Sequence, residues 1–340
     1  MQIVPARRRL GRLATAVTAI VVALNVSAAG AAQPGNTRDD EGGTATLREQ
    51  LEAATKGYLD AKLRLENSQK RQTQLNNQLK ALDADLARHS VTVGELAAVA
   101  YRGGRLGPVS ALLNSDSPAG FVDRAVALGS VAANQQQELK GLLDTRDRVR
   151  RTLTALAAEV QQQRKQLQIM AVRKTQAERA LAVVGGLPSS GHPAASTPQA
   201  RPAPRNPDGS WPRESCSLND PTTSGCITPR TLHALNQAKA AGFTRFVSCF
   251  RGGGSGEHPK GRACDYAAQR NGFGGDATGS DRVYGNNLAN YFIRNANRLG
   301  VLYVIWYRQI WLPSSGWRSY SGAGGDPSSD HTNHVHLSVY

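Results

Sequence analysis

Two short segments concentrate the chemistry of this 340-residue chain: Glu257-His258-Pro-Lys-Gly261-Arg262-Ala263-Cys264-Asp265 and His331-Thr-Asn-His334-Val-His336. Four of the seven histidines fall in them, and three histidines within six residues are costly decoration for an ordinary surface. Each segment reads as flanking a strand, and alternation along a strand puts His334 and His336 on one face. Two imidazoles and one carboxylate, with a position left open for water, have the general form of catalytic zinc. Such an ion lowers the pKa of its water toward about 7 and polarises a carbonyl. A neighbouring His or Glu can then take the proton and pass it to a leaving amine, while a guanidinium offsets oxyanion charge. The structural alternative is a buried, hydrogen-bonded His258–Asp265 pair. His331 reads as a solvated neighbour or a group behind the ligands, and Tyr320 and Asp326 are near enough in sequence to line the cleft.

No cysteine nucleophile competes, because the cysteines have another explanation. The chain opens with Arg7, Arg8, Arg9 and Arg12, an apolar run from Leu13 to Val26, and Ala29-Gly30-Ala31. This predicts a secretory signal peptide over residues 1–32. The apolar run is short for a bilayer that needs roughly 20 residues, and no other segment reads as a membrane span, so the expectation is a secreted, wall-associated protein. In an oxidising compartment the four cysteines imply two disulfides. Of three pairings, Cys216–Cys226, closing a Pro/Thr/Gly-rich loop, and Cys249–Cys264, joining neighbouring strands, are favoured.

The elements that must position these groups are unevenly distributed. Hydrophobic content of 40% and charged content of 20% exclude wholesale disorder and a multi-span membrane protein. Of the aromatic residues only Tyr58, Tyr101 and Phe121 precede residue 205, so a large core belongs at the C-terminal end. The net charge of +15 suits a polyanionic environment. No Lys/Arg cluster interleaved with aromatics favours nucleic acid. Positions 51, 54, 58, 61, 65, 68, 72, 75, 79, 82 and 86 form one heptad seam, and positions 139 to 184 form a second through Leu139, Leu142, Arg146, Val149, Leu153, Leu156, Val160, Gln163 and Leu167. The pattern predicts a coiled coil. Gly103-Gly104, Gly107-Pro108 and Ser117-Pro118 predict a fold-back with short helices at 96–101, 109–113 and 121–128. The expected architecture is a long α-helical coiled-coil hairpin over 44–185, a Pro-rich extended linker over 186–212 carrying a solvated His192, and a compact α+β domain over 213–340. Within that domain helices are expected at 229–241 and 286–299, and strands at 243–250, 263–267, 301–306 and 335–339.

The motif His258-x-x-Gly261-x-Ala263-x-Asp265, followed by His334-x-His336 and preceded by Val247-Ser-Cys-Phe-Arg251, resembles the zinc D-Ala-D-Ala peptidases and murein endopeptidases of the M15 type, which share their fold with the hedgehog signalling domain. The resemblance implies His258, Asp265 and His336 as zinc ligands, His334 as the base and Arg251 as the cation facing the oxyanion. It implies a peptidoglycan peptide as substrate. Gly256 stands where relatives carry Ser or Thr, and the His-x-His ending replaces their Glu-x-x-His, which moves the base role to His334, with Glu257 as fallback. The segments Val99-Ala-Tyr-Arg-Gly-Gly, Leu112-Leu-Asn-Ser-Asp-Ser and Phe121-Val-Asp-Arg resemble coiled-coil regulatory domains of secreted peptidoglycan hydrolases, which implies docking on a membrane division complex. Two other classes compete: a non-catalytic wall-binding or division-scaffold protein, and a metal-dependent nuclease using Asp330 and the histidines.

Overall fold

A computed structural model describes residues 44–104, 107–182, 185–320 and 325–340. The expected signal peptide lies outside the described residues. Two long helices come first: α1 (Ala45–Gly103) and α3 (Pro118–Ala182), with the short α2 (Gly107–Leu113) at the turn between them. Thr44 caps α1 through its Oγ1, which accepts from the Leu47 N–H at 3.2 Å. The helices run antiparallel, as the contacts Ser68 with Glu159 and His89 with Glu138 require. The bend differs from expectation, since α1 continues through 96–101 and α3 absorbs 121–128. Among the described residues, no helix is long and apolar enough to cross a membrane.

The α1 seam is as the heptads predict: all eleven positions from Leu51 to Leu86 are buried or half-buried. The α3 seam is rotated. Leu142, Val149, Leu156, Gln163, Met170 and Ala177 do turn inward, as do Val160 and Leu181, but at Leu139, Arg146, Leu153 and Leu167 the inward position shifts by one residue. Thr145, Thr152 and Gln166 are buried, while Leu139, Leu153 and Leu167 are 47%, 50% and 54% exposed. Polar pairing across the seam sets this rotation. Ser68 Oγ donates to the Glu159 side chain, Arg71 pairs with the same carboxylate at 2.7 Å, and Gln163 donates to Gln72 at 2.9 Å. Gly57 leaves room for Arg173, whose Nε lies 2.5 Å from where a Cβ would stand.

The C-terminal region is α+β. After the hairpin β1 (Leu218–Asn219) and β2 (Cys226–Ile227) come α4 (Pro229–Ala240), β3 (Val247–Ser248), β4 (Ala263–Ala267), α5 (Gly279–Arg294), α6 (Ala296–Leu299), β5 (Val301–Trp306), β6 (Gln309–Leu312), β7 (Gly316–Ser319) and β8 (His334–Val339). The six-stranded sheet has the order β3-β4-β8-β5-β6-β7, with every pair antiparallel. The expected strand at 243–250 pairs only over two residues. The expected helix at 286–299 starts earlier and breaks at Asn295, whose side chain is engaged by the backbone at Pro198 and Ala200. Both disulfides pair as favoured, Cys216–Cys226 and Cys249–Cys264.

The two faces of the sheet are covered differently. Val301, Val304, Trp306, Val335, Leu337 and Val339 pack with Leu235, Leu288, Tyr291 and Phe292 of α4 and α5. On the other face, Leu302, Ile305, Ile310 and Leu312 pack against Leu47, Leu51 and Ala54 of α1 and Ala177, Ala180 and Leu181 of α3. The base of the helical hairpin is therefore a layer of the C-terminal domain. The 186–212 segment is correspondingly no free linker. It is extended, as its prolines require, but it lies along the domain. Ala195 N–H donates to Asn287, Ala200 N–H to Asn295 and Arg201 N–H to Gln237, each at 2.8 Å. His192, expected in solvent, is half-buried against Trp317 with ring centroids 5.4 Å apart, and burial lowers its pKa.

This packing separates two leucines that the heptads treat alike. Leu181→Ala empties a fully buried site between helix and sheet and is expected to cost about 2–5 kcal/mol. Leu153→Ala should stay within about 0.5 kcal/mol, as for an exposed position. Denaturant unfolding followed by tryptophan fluorescence checks both, because all four tryptophans lie from Trp211 onward.

Candidate metal centre

The site is built on the pairing of β4 with β8, in which Asp265 stands opposite His336 and Ala267 opposite His334. Since Val335, Leu337 and Val339 face the helices, alternation turns His334, His336 and Ser338 to the opposite face. His258 arrives from the loop before β4, which is folded by hydrogen bonds from Gly261 N–H to the His258 carbonyl and from Arg262 N–H to the Glu257 carbonyl. Gly261 has φ of +67°, and a Cβ there would stand 2.8 Å from the Cys226 carbonyl, so the turn needs glycine.

Three of these groups converge. His258 Nε2 is 3.1 Å from Asp265 Oδ2, His336 Nδ1 is 2.9 Å from Asp265 Oδ1, and the two imidazole nitrogens are 3.2 Å apart. One ligand atom from each lies within 4.8 Å of the others, and all three residues are buried. The opposite nitrogen of each ring is anchored. His258 Nδ1–H donates to the Cys249 carbonyl, and His336 Nε2 is held by Ser338 Oγ at 2.8 Å. That anchoring orients both rings and turns Nε2 of His258 and Nδ1 of His336 toward the Asp265 carboxylate. Two ring nitrogens and a carboxylate aimed at one another within this distance are a ligand set of the kind that holds a divalent metal, so the residues fit one.

His334 and His331 stand next to this triad. His334 Nδ1–H donates to Asn333 Oδ1 at 2.6 Å, and the Asn333 amide is oriented by donating to the Gly274 carbonyl and Ser328 Oγ. His334 Nε2, 3.5 Å from Asp265 Oδ1, is buried without a hydrogen-bond partner. Of the two expectations for His331, it is the group behind the ligands and not the solvated neighbour. It is fully buried, its φ is +53°, its Nδ1–H donates to the Ser329 carbonyl at 3.2 Å, and its Nε2 is likewise unpartnered. Its ring lies 4.8 Å from that of His334, centroid to centroid. A non-glycine residue in the left-handed region is strained and persists only where its surroundings impose it.

Burial opposes ionisation of Asp265, but the charges of His258 and His334 and the hydrogen bonds from His258 and His336 outweigh it, so the carboxyl stays well below its ordinary range. Burial drives the His334 pKa down to about 4, against the pull of Asp265. Burial, reinforced by His334 and His336, lowers His331 well below the usual histidine value. Arg251 reaches the cluster, with Nη1 3.4 Å from Asp265 Oδ2. Glu257 is held at the helical base, 2.7 Å from Arg262 and 3.1 Å from Lys260, and burial with the nearby Glu52 carboxylate raises its pKa to about 7. Asp330 pairs with Arg308 at 2.6 Å, which commits the carboxylate that the nuclease reading needs. Tyr320 is buried with its ring 6.5 Å from His331, whereas Asp326 serves the turn by accepting from Ser328 N–H.

Sequence reasoning missed the groups behind the ligands. Ser338 follows His336 by two residues, so strand alternation would have found it. Tyr303, stacked on His336 with ring centroids 5.7 Å apart, and Phe273, edge-on to His334 at 5.4 Å, come from distant elements and give no local signal.

Residues 223–335 match the family model for the VldE C-terminal domain. The matched stretch takes in Arg251, His258, Asp265, His331 and His334, and it ends one residue before His336. No curated protein matches the chain.

The buried neutral imidazoles make an acid-labile fold. With a folded-state pKa of about 4 against 6.5, His334 binds more protons in the unfolded chain across that interval. Its contribution is whole above pH 6.5 and is lost as pH falls through 4, by about 3 kcal/mol. Denaturant midpoints of the chelator-treated chain at pH 7 and 4.5 should therefore fall further for the parent than for His334→Gln.

Proposed function

We propose that the C-terminal domain is a secreted, cell-wall zinc metallopeptidase of the M15 and hedgehog type that hydrolyses peptide bonds in peptidoglycan stems or cross-links. The observation that carries this reading is the convergence of His258 Nε2, the Asp265 carboxylate and His336 Nδ1, each imidazole anchored at its other nitrogen. Two histidines and one carboxylate are the ligand set of zinc hydrolases that keep an open position. Zinc bound there supplies a Lewis acid and a water of lowered pKa. His334, neutral at pH 7 with its Nε2 unpartnered, takes the proton at that atom and returns it to the leaving amine. Arg251 offsets the negative charge on the substrate carbonyl oxygen. The two disulfides suit an exported protein, and the charge of +15 suits an anionic wall.

The helical hairpin restrains or recruits this activity in the same reading, with a membrane division complex as its partner. Its first turns rest on the loop that carries His258. Arg48 donates to Ser255, and Glu52 pairs with Lys260 at 2.7 Å and Arg262 at 2.8 Å. A cavity of about 240 Å³ lies between Ala45, Arg48 and Glu49 and the loop from Gly254 to Lys260.

One observation favours a second reading. None of His258, Asp265, His334 and His336 is more than 3% exposed, and closed sites are the habit of structural zinc. A wall-binding module with a structural ion would have this appearance. Elemental mass spectrometry of the full chain is expected to give about one zinc per chain, lost in Asp265→Ala. Purified wall should release peptides with the parent chain, and release should fall at least 100-fold in His334→Ala while zinc is retained. Retained zinc without any cleavage by the parent would establish the binding module, and unchanged cleavage by His336→Ala would sink the peptidase.

A further inference from the structure

The two disulfides hold different things. Cys216–Cys226 closes the β1–β2 hairpin across a separation of 10 residues. Cys249–Cys264 ties the chain just after β3 to β4, one rung beyond the pair Ser248 and Asp265. Both of its cysteines sit in the helix-side core, on the face of the sheet opposite the histidines. Each half is nevertheless one step from the metal centre: the Cys249 carbonyl accepts the Nδ1–H of His258, and Cys264 is peptide-bonded to Asp265.

The strand that presents the Cys249 carbonyl is weakly held by itself. β3 is an edge strand of two residues. Beyond it the backbone is fixed from side chains, with Cys249 N–H donating to Thr222 Oγ1 at 2.9 Å and Phe250 N–H to Asp220 Oδ2 at 2.8 Å. After Phe250 the chain enters Gly252-Gly-Gly-Ser-Gly256, with Gly253, Gly254 and Gly256 at positive φ. On its N-terminal side His258 is therefore positioned by its bond to the Cys249 carbonyl, and on its C-terminal side by the turn from Glu257 to Arg262. The disulfide is the covalent link between the group that orients one ligand and the strand that carries another.

We propose that Cys249 and Cys264 are positioning residues for the metal centre: their disulfide fixes His258 Nε2 against Asp265, so metal occupancy and disulfide redox state are thermodynamically linked. The inference rests on the metal reading above. Linkage is reciprocal, so whatever the disulfide adds to zinc affinity, zinc adds to the disulfide's resistance to reduction. Groups that orient metal ligands are typically worth 10–100-fold in metal affinity. A purely structural cross-link acts chiefly on the unfolded chain and would leave the zinc affinity of the folded protein unchanged. A water-soluble trialkylphosphine is a suitable reductant: phosphorus attacks one sulfur, the S–S bond breaks, and water delivers oxygen to phosphorus and protons to both sulfurs, giving phosphine oxide and two thiols.

The test uses the full chain and two measurements. Zinc affinity is read by competition with a chromogenic chelator in the parent, C249A/C264A and C216A/C226A, with near-ultraviolet circular dichroism as the folding check. A 10–100-fold loss in C249A/C264A is expected, against less than threefold in C216A/C226A. Phosphine reduction of the parent, with and without zinc, is followed by alkylation and peptide mass spectrometry. Zinc should slow the opening of Cys249–Cys264 at least 10-fold and change that of Cys216–Cys226 less than twofold. Parent-like zinc affinity in folded C249A/C264A overturns the linkage while leaving the metal site standing. Should that variant not fold, the reduction rates decide, and equal protection of both disulfides by zinc overturns the proposal. A parent chain that binds no zinc removes the metal reading itself.

Discussion

A carboxylate removed from water is the constraint around which this domain is arranged. Asp265 lies on β4 opposite His336 of β8, 3% exposed, where an uncompensated charge costs several kcal/mol. Its compensation comes from three directions: His258 from a loop, His334 and His336 from β8, and Arg251 from the far side of the disulfide. The two from β8 are supplied only when β4 and β8 pair in the observed register. A slip of one residue would send both β8 histidines into the helix-side core and Val335 and Leu337 onto the carboxylate. Hydrophobic burial on one face and charge compensation on the other therefore select the same register.

That division of labour leaves the sheet with an apolar area beside the metal centre, formed by Leu302, Ile305, Ile310 and Leu312, which must also be covered. The helical hairpin covers it. Its base contributes leucines and alanines from both helices, and the charged residues around that base, Glu52, Asp60 and Glu178, reach Arg262, Lys260, Tyr340 and Arg318. The rod and the domain are thus coupled through a shared core and not through a tether. Any displacement of the first turns of α1 must be felt at Lys260 and Arg262, which bracket the turn that delivers His258.

Much of this was legible in the sequence, and the exceptions have physical causes. The strands at 263–267 and 301–306 match β4 and β5 residue for residue, and α4 begins at Pro229 as read, because burial patterns and the Thr228-Pro229 start signal are local. The cysteine pairing followed from loop composition and strand proximity. The α3 seam was misplaced by one residue around Leu153 and Leu167 because counting apolar residues favours them, whereas the interface buries Thr152 and Gln166 in their place. The 186–212 segment has too few apolar residues to announce a binding partner. It is held by side-chain amides of Gln237, Asn287 and Asn295 that look like ordinary surface polarity in a linear reading. The β6–β7 hairpin escaped notice although Leu312-Pro-Ser-Ser-Gly316 is a turn sequence between short apolar runs.

The candidate site was legible in its ligands and illegible in the anchoring of its rings, and the anchoring separates its residues by role. Each of the four histidines has one ring nitrogen tied to an oxygen: a backbone carbonyl for His258 and His331, an amide for His334, a hydroxyl for His336. The remaining nitrogens then divide in two. Those of His258 and His336 meet each other and Asp265 within ligand distance of a common point, and electrostatics favours a cation there. Those of His334 and His331 are buried acceptors outside the triad, and burial keeps both rings neutral at pH 7. A ring that is neutral, anchored and unpartnered is poised to take a proton, and a ring that served only to pack would be replaced at less cost by an apolar side chain. Strain at His331 and the two unsatisfied nitrogens are therefore costs that the stability of the fold does not explain.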